Sequence, residues 1–588
     1  MMQAASPVDD PQHIIPTVAE DPALALSHRA KLEILGAVLL GLFLTALDQT
    51  IVGTALPKIV TDLHGNDLYT WVVTIYLLTS TITVPFYGKL SDIYGRRPML
   101  MIGITLFLVG SALSGLSQDM WQLILFRGIQ GLGAGAIFPI ALAVIGDLFT
   151  PAERGKYQGL FGAVFGISFL VGPALGGFLT DAVSWHWIFY VNLPLGIVSL
   201  AVIWRLLPTI KARNASHSLD YLGALFFTVA IGFLLVGLTN KQTGEWTDGT
   251  VGGFIAIGLA LSAVFVFIEA RAKEAIVPLD LWRNRTYASS ILATTLASFG
   301  FFGAIIFLPR WFQVVHGDSA TTSGYEMFPL LFGLIASSIV SGALVARTGR
   351  YKRLIIGAIA IMAVGLVLMS QVRTDVDIRF LWLSMFVTGL GIGPTLSVFT
   401  IVVQNAVPFS RLGVATSNLT FFRQIGGSIG LAIAGTVFAT ALRNDLPLQT
   451  DKVFSQVKAT TPAAFQPAID QLAAAFHATG PAGTGLDLNK LTGVGQSFGS
   501  VVIDQAAANA PAGGATFVHQ FLDPFKGALD TAFFDAFSNG VATTFQIGIV
   551  TTILAVGAAF LMHEIPLRKH HGPAPAAPSQ AAAATATE

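Results

Sequence analysis

The chain has 588 residues, 53% hydrophobic and only 11% charged, with 33 Lys and Arg balanced by 33 Asp and Glu and a mean hydropathy of +0.69. An ordinary soluble domain carries about 25% charged residues, so this composition excludes one and defines a polytopic membrane protein. The absence of cysteine excludes disulfides, thiolate metal sites and cysteine nucleophiles.

Residues 1–32 are acidic and proline-bearing, without a basic segment followed by an apolar one, and read as a cytoplasmic tail rather than a signal peptide. Apolar runs of about 20 residues, enough to cross ~30 Å of hydrocarbon, then follow near 33–56, 70–91, 98–117, 121–146, 157–180, 187–207, 220–239, 250–270, 287–314, 321–346, 353–372, 378–403, 413–442 and 541–562. Because every backbone polar group in lipid must be satisfied internally, these fourteen spans are expected to be helices and the chain an all-α membrane protein. Residues 563–588, rich in Pro and Ala, read as a disordered cytoplasmic tail.

Lys and Arg set the orientation. Alternate connections hold Lys89, Arg96 and Arg97, then Arg154 and Lys156, then Arg205, Lys211 and Arg213, then Lys273 with Arg283 and Arg285, then Arg347, Arg350, Lys352 and Arg353. The short connections between them hold Lys58, Lys241, Arg373 and Arg379. The rule that basic residues stay inside therefore places both termini in the cytoplasm. The long outer loop at 443–540 carries two amphipathic stretches, Phe465, Ile469, Leu472 and Phe476, then Phe525, Leu529, Phe533 and Phe537. They are expected on the outer surface of the protein or membrane, where an extracytoplasmic partner or an exported ligand would dock.

The two halves echo each other at an offset of about 255 residues. GKLSDIYGRRP from Gly88 matches GALVARTGRYK from Gly342, GLGAG at Gly131 matches GLGIG at Gly389, and Pro151 with Arg154 matches Pro408 with Arg411. Such a repeat predicts two related bundles of six helices around a central site: 33–207 as the first, 287–442 with 541–562 as the second, and 208–286 as an inserted pair.

Asp48 is the only charged residue between Glu33 and Pro57. An ionised Asp near the middle of a membrane helix costs ~2.5–3.5 kcal/mol on insertion scales, which marks it as a functional residue facing a cavity or a partner. Arg127 is the expected partner: counted at 1.5 Å per residue, both lie on the order of 10 Å below the outer surface. Met385 occupies the position equivalent to Arg127 in the second half, so the charge is not a requirement of the fold. Burial and a nearby guanidinium pull the titration of an Asp in opposite directions.

Here the residues resemble a known family. Gly88, Asp92, Gly95, Arg96 and Arg97 lie in a stretch similar to the signature loop of the major facilitator superfamily, and Leu47 through Pro57 resembles the first-helix motif of its fourteen-span drug:proton antiporters. Leu123 through Gly135 is similar to the fourth-helix motif, Gly172 through Gly177 to the antiporter motif of the fifth helix, and Trp185–Gly196 and Phe422–Gly427 to further stretches of that subfamily. The likeness spans residues 33–442 and the last span. Gly53 departs from it where Asn is common, and Ser168 where Gly is common.

The resemblance implies a major facilitator fold and a proton-coupled antiporter that exports lipophilic, often cationic drugs across the cytoplasmic membrane. In it Asp48 and Arg127 couple to protons, Gly88, Asp92, Gly95, Arg96 and Arg97 gate the conformational change, and Gly162, Gly166, Gly172, Pro173, Gly176 and Gly177 form the antiport helix. Asp92 is expected beside the start of the thirteenth span near Gly413, where a helix dipole favours an anion. Ala346 takes the place of Asp92 in the second half. Gln49, Tyr76, Phe138, Phe165, Phe301, Phe302, Phe421 and Arg423 are expected to line a substrate cavity, and Arg310 with Glu326 to form an outer gate.

The proton gradient is the expected energy source, with no cofactor and no metal. Expected partners are lipophilic small molecules, protons and membrane lipids, with no nucleic acid, on a monomer. An exporter of an endogenous lipid or secondary metabolite is the alternative on the same fold, and a receptor or structural membrane protein the alternative of another class. Gly495-Gln496-Ser497-Phe498-Gly499, followed by Asp504 and His519, matches the order of a hydrolase nucleophile elbow. No strand precedes the serine, so no enzyme is expected.

Overall fold

A computed structural model describes residues 26–64, 68–209, 220–241, 244–272, 274–463, 466–467, 469–470, 473, 497–508 and 514–567. The expected tails, except for a few residues next to the first and last spans, lie outside them, as do Lys211, Arg213, Lys273, Phe465, Leu472, Phe476, Gly495 and Gln496. Among the described residues fourteen helices are long and apolar enough to cross a membrane.

The first bundle comprises α1 (His28–Asp62), α2 (Tyr69–Tyr94), α3 (Arg96–Ser114), α4 (Met120–Leu148), α5 (Pro151–Ala182), the short α6 (Trp187–Tyr190) and α7 (Asn192–Leu206). The inserted pair is α8 (Tyr221–Asn240) and α9 (Phe254–Glu269). The second bundle comprises α10 (Arg285–Val315), α11 (Ala320–Glu326), α12 (Phe328–Thr348), α13 (Lys352–Met369), α14 (Ile378–Ala406) and α15 (Leu412–Thr460). After α16 (Phe498–Ala508) and α17 (Gly514–Leu522), the chain returns through α18 (Lys526–Phe560).

The helices start where the sequence supplies a cap. Asp119 accepts the N–H of Gln122 ahead of α4, Asn284 those of Thr286 and Tyr287 ahead of α10, and Thr150 with Glu153 makes a capping box at the start of α5, where Pro151 costs no hydrogen bond. Gly95, between α2 and α3, has φ of +103°, a conformation that disfavours any residue with a Cβ.

The glycine repeat builds the same frame twice. A Cβ on Gly131 would strike the Tyr76 carbonyl of α2, and one on Gly389 the Leu330 carbonyl of α12. Gly133 lies against the Phe107 backbone of α3, and Gly391 against Met362 of α13. Without a side chain at these points, backbones approach closely, which is how helices associate in lipid. The bundles then meet along two seams. Gly88 of α2 packs on Gly413 and Ser417 of α15, and Gly155, Gly159 and Gly162 of α5 pack on Gly342, Ile339 and Ser338 of α12.

The inserted pair lies against the first seam, where Phe227 of α8 packs on Phe86 of α2 and Phe421 of α15. Lys89 of α2 pairs with Glu274, just beyond α9, at 2.6 Å.

The segment expected as an outer loop is, where described, largely helical. α15 runs on to Thr460 and α18 begins at Lys526, well before the apolar run at 541. Leu446, Val453, Phe454 and Val457 keep a buried face on α15 and pack with Phe498, Ile503, Leu529, Phe533 and Phe537 in a core continuous with the second bundle. The stretch Leu529–Phe537 therefore does not lie on a membrane or protein surface. Its apolar face is buried in a helical cap, because the extended α15 offers it a partner. Ile469 of the other stretch is buried in the same cluster.

Candidate functional site

Asp48, on α1, is fully buried, and its carboxylate is held by three side chains from two other helices. Arg127 of α4 donates to Oδ2 at 2.5 Å, Gln130 of α4 to Oδ1 at 2.8 Å, and Asn192 of α7 to Oδ1 at 3.2 Å. Arg127 also donates to Gln130 at 2.8 Å and stands 4.2 Å from the centre of the Tyr76 ring. Asn192 in turn donates to Ser111 of α3 at 3.0 Å, and Ser111 to the Phe189 carbonyl at 2.8 Å. One carboxylate thus ties together α1, α3, α4 and α7. Breaking such a pair from one side leaves a buried charge uncompensated.

Two residues along α1, Thr50 donates to the Ser168 carbonyl of α5 at 3.1 Å. The Asp48 segment is therefore braced against the helix that forms the second seam. The glycines of α5 divide between two neighbours. Gly162 and Gly166 meet Ser338 and Ile335 of α12, while Gly172 and Gly176 meet Thr50, Ile51 and Thr54 of α1. Pro173 lies against Gly324 of α11, and Gly177 against Thr321. α5 is therefore in close contact with α1 on one side and with α12 of the other bundle on the other.

A second charged cluster closes the seam on the face that bears Gly88 through Arg97. Asp92 accepts the backbone N–H groups of Gly413 at 3.1 Å and Val414 at 3.0 Å, at the first turn of α15, where four N–H groups lack helical partners. Arg96 lies 2.5 Å from Asp92 and 2.8 Å from Asp147 of α4, and donates to Ser91 at 2.8 Å. Arg97 is half-buried beside this cluster. Deeper in the seam, Gln158 of α5 donates to Gln404 of α14 at 2.9 Å, and Gln404 to the Leu142 carbonyl of α4 at 3.0 Å.

The aromatic candidates make separate contacts. Phe138 and Phe165 contact each other within the first bundle, and Phe301 and Phe302 within the second. Phe421 packs on Phe227 in the seam with the inserted pair, and Tyr76 belongs to the Asp48 cluster. Gln49 is exposed on α1, one turn from Gly53, which has open space around it. Arg423 is buried on α15 and donates to the Thr395 carbonyl at 3.3 Å.

Of Arg310 and Glu326, the two residues expected at an outer gate, Glu326 has a neighbour on α14. Glu326 accepts the Trp382 indole N–H at 2.8 Å, a donor that the following helix pair brings to it. Ser497 caps α16: its hydroxyl donates to Asp530 at 2.8 Å and accepts the N–H of Ser500, while His519 lies beside Asp523. The apparent nucleophile elbow is a helix cap.

Gln130 and Asn192 are not among the candidates read from the sequence, although they lie within the Leu123–Gly135 and Trp185–Gly196 stretches, nor are Ser111 and Asp147. The available signal was polarity inside apolar runs, at positions where lipid contact would be costly.

Two pseudo-symmetric six-helix bundles with a buried charge cluster between their helices define a membrane transporter. The description of the Major Facilitator Superfamily matches residues 38–431, and the chain belongs to that family. It is similar to "Multidrug transporter protein MdtP" of Bacillus subtilis (strain 168), 39% identical over 71% of this chain and 76% of the relative. It is also similar to "Multidrug resistance protein 3" of the same organism, 36% identical over 72% and 83%. Among solved structures, the human organic anion transporter MFSD10 aligns with a TM-score of 0.50 at 17% identity, covering 69% of this chain and 94% of that one, a likeness of fold alone. The chain is an integral membrane transporter and not an enzyme.

Proposed function

We propose that this transporter is a proton-coupled antiporter that exports lipophilic compounds, cationic dyes among them, with Asp48 as the proton carrier and the Gly88–Arg97 face in the cytoplasm. The observation that carries this reading is the fully buried Asp48–Arg127 pair, for which the second bundle has only the buried, apolar Met385. An ion pair that the fold does not need, at a cost that membrane burial makes severe, is best explained by a protonation step. Protonation of Asp48 releases Arg127, Gln130 and Asn192 from the carboxylate, and α1 and α5 carry the change to the seam with α12. The gradient suffices, since one charge moving through ~100 mV supplies ~2.3 kcal/mol.

The bonds that latch Asp92 to α15 and Gln158 to Gln404 support a state closed on the cytoplasmic side and ready to accept a proton from outside. The test is efflux of a fluorescent cationic dye from cells expressing the wild type or Asp48→Asn, with and without a protonophore. Wild-type efflux is expected to collapse on adding the protonophore, and Asp48→Asn to bind dye without exporting it. Uphill dye movement by Asp48→Asn in liposomes after a pH jump would refute the assignment.

A further inference from the structure

The deeply buried arginines of the spans are not treated alike. Arg127 lies against Asp48, and Arg96 against Asp92 and Asp147. Arg423 is 7% exposed, and its one hydrogen bond among the described residues goes to a backbone carbonyl, Thr395, at 3.3 Å. No ion pair of the described residues includes it. Arg423 stands eleven residues into α15, ~16 Å along the axis at 1.5 Å per residue, which is mid-membrane and out of reach of the water interface by simple extension. A guanidinium cannot shed its charge there, and a carbonyl at that distance compensates little of it.

An aromatic surface begins one turn away. One turn further along the same face of α15, Gly427 is packed on the ring of Phe302, which itself contacts Phe301 with centroids 5.1 Å apart. Asp48 is already neutralised by Arg127 within the first bundle, so the charge left over at mid-membrane is positive.

We infer that Arg423 is an anion subsite and that the transported compounds include lipophilic monoanions, such as aryl carboxylates, whose charge pairs with the guanidinium while the apolar body lies on the Phe301–Phe302 surface. This rests on the transporter reading above and adds a substrate class to it. A planar guanidinium matches a carboxylate bidentately, which a cation-selective cavity would have no reason to hold unpaired.

The test compares binding of fluorescent pyrenebutyrate and its uncharged methyl ester to the purified full-length protein, without a pH gradient. The wild type is expected to prefer the carboxylate by about tenfold or more, the gain of one charge-assisted hydrogen-bonded pair. Arg423→Gln should abolish the preference while leaving ester affinity unchanged, and Arg423→Lys should keep part of it. A wild type without preference, or Arg423→Gln that retains it, overturns the inference. If Arg423→Gln also loses the ester, Arg423→Lys decides: preference kept supports the subsite, and preference lost overturns it. Nanodiscs of phosphatidylcholine and of phosphatidylglycerol separate a transported anion from an anionic lipid. Equal preference in both supports the inference, and preference abolished by phosphatidylglycerol overturns it. Failure of proton coupling in the dye assay would leave this binding result standing, and loss of the preference would leave the dye assay standing.

Discussion

The two bundles share a frame and differ in chemistry. Gly131 and Gly133 of α4 press on α2 and α3 as Gly389 and Gly391 of α14 press on α12 and α13, against backbone atoms in each case. At the same spacing from these glycines, Arg127 and Gln130 in the first bundle become Met385 and Thr388 in the second. The Thr388 hydroxyl donates to its own helix, and Met385 sits in an apolar core. Asp147 in the first bundle becomes Asn405 in the second, which donates to the Ile565 and Pro566 carbonyls just after α18. Packing was duplicated and kept, whereas among the described residues the buried carboxylate–arginine pairs all lie in the first copy. The lesson is that the repeat defines how the helices fit, and the departures from it define where the work is done.

The sharpest way to break the comparison is to make the first bundle like the second. Arg127→Met leaves Asp48 buried without its cation, and we expect a loss of about 3–5 kcal/mol in stability and no measurable dye export. Adding Asp48→Asn should restore thermal stability in detergent but not transport. If the double variant stays as unstable as the single one, the pair is part of the frame after all.

Next in size is the frame itself. Gly131→Ala and Gly389→Ala should each destabilise by about 1–3 kcal/mol, since each new methyl meets a backbone carbonyl that cannot rotate away. Equal shifts in melting temperature would show the two frames to be equivalent, and markedly unequal ones would deny it.

The seam gives a smaller effect. Asp92→Asn weakens the hold on the first turn of α15, and a single cysteine introduced at Ser417 should then react about tenfold faster with a maleimide reagent, as a 1.4 kcal/mol shift in the closed population predicts. The native chain has no cysteine to obscure the signal. Ala346→Asp, the mirror change, should leave that rate unaltered.

Smallest is the amide contact between bundles. Gln158→Leu removes the hydrogen bond that Gln158 donates to Gln404, of about 1 kcal/mol, and should raise the same labelling rate about fivefold.

Much of the frame was legible in the sequence because lipid imposes length and apolarity on each span, and close helix contact imposes glycine. Asp48 and Arg127 could be matched by depth, since each is a lone charge whose distance from a span end can be counted. Asn192 could not, being a neutral amide 144 residues from Asp48 that no charge count or spacing singles out. The helical extension of α15 to Thr460 and the early start of α18 at Lys526 were not legible, because the glycine, proline and alanine content of that segment hides the faces that pack them together. Phe421 was expected in a cavity, yet it lies under α8, since the position of an inserted helix pair is not encoded in the repeat.

By itself, the sequence determined that fourteen segments in two related halves are long and apolar enough to cross a membrane, as fourteen helices of the described residues are, and which of its charges are too costly to be incidental. Burial in lipid is a strong local constraint that each segment must meet alone. Only the tertiary structure decided which polar side chains complete the Asp48 cluster, which helices the glycines of α5 touch, and that Arg423 is left with a carbonyl where Arg96 and Arg127 have carboxylates. Those outcomes depend on the rotation and register of helices far apart in the chain, which are set by mutual packing.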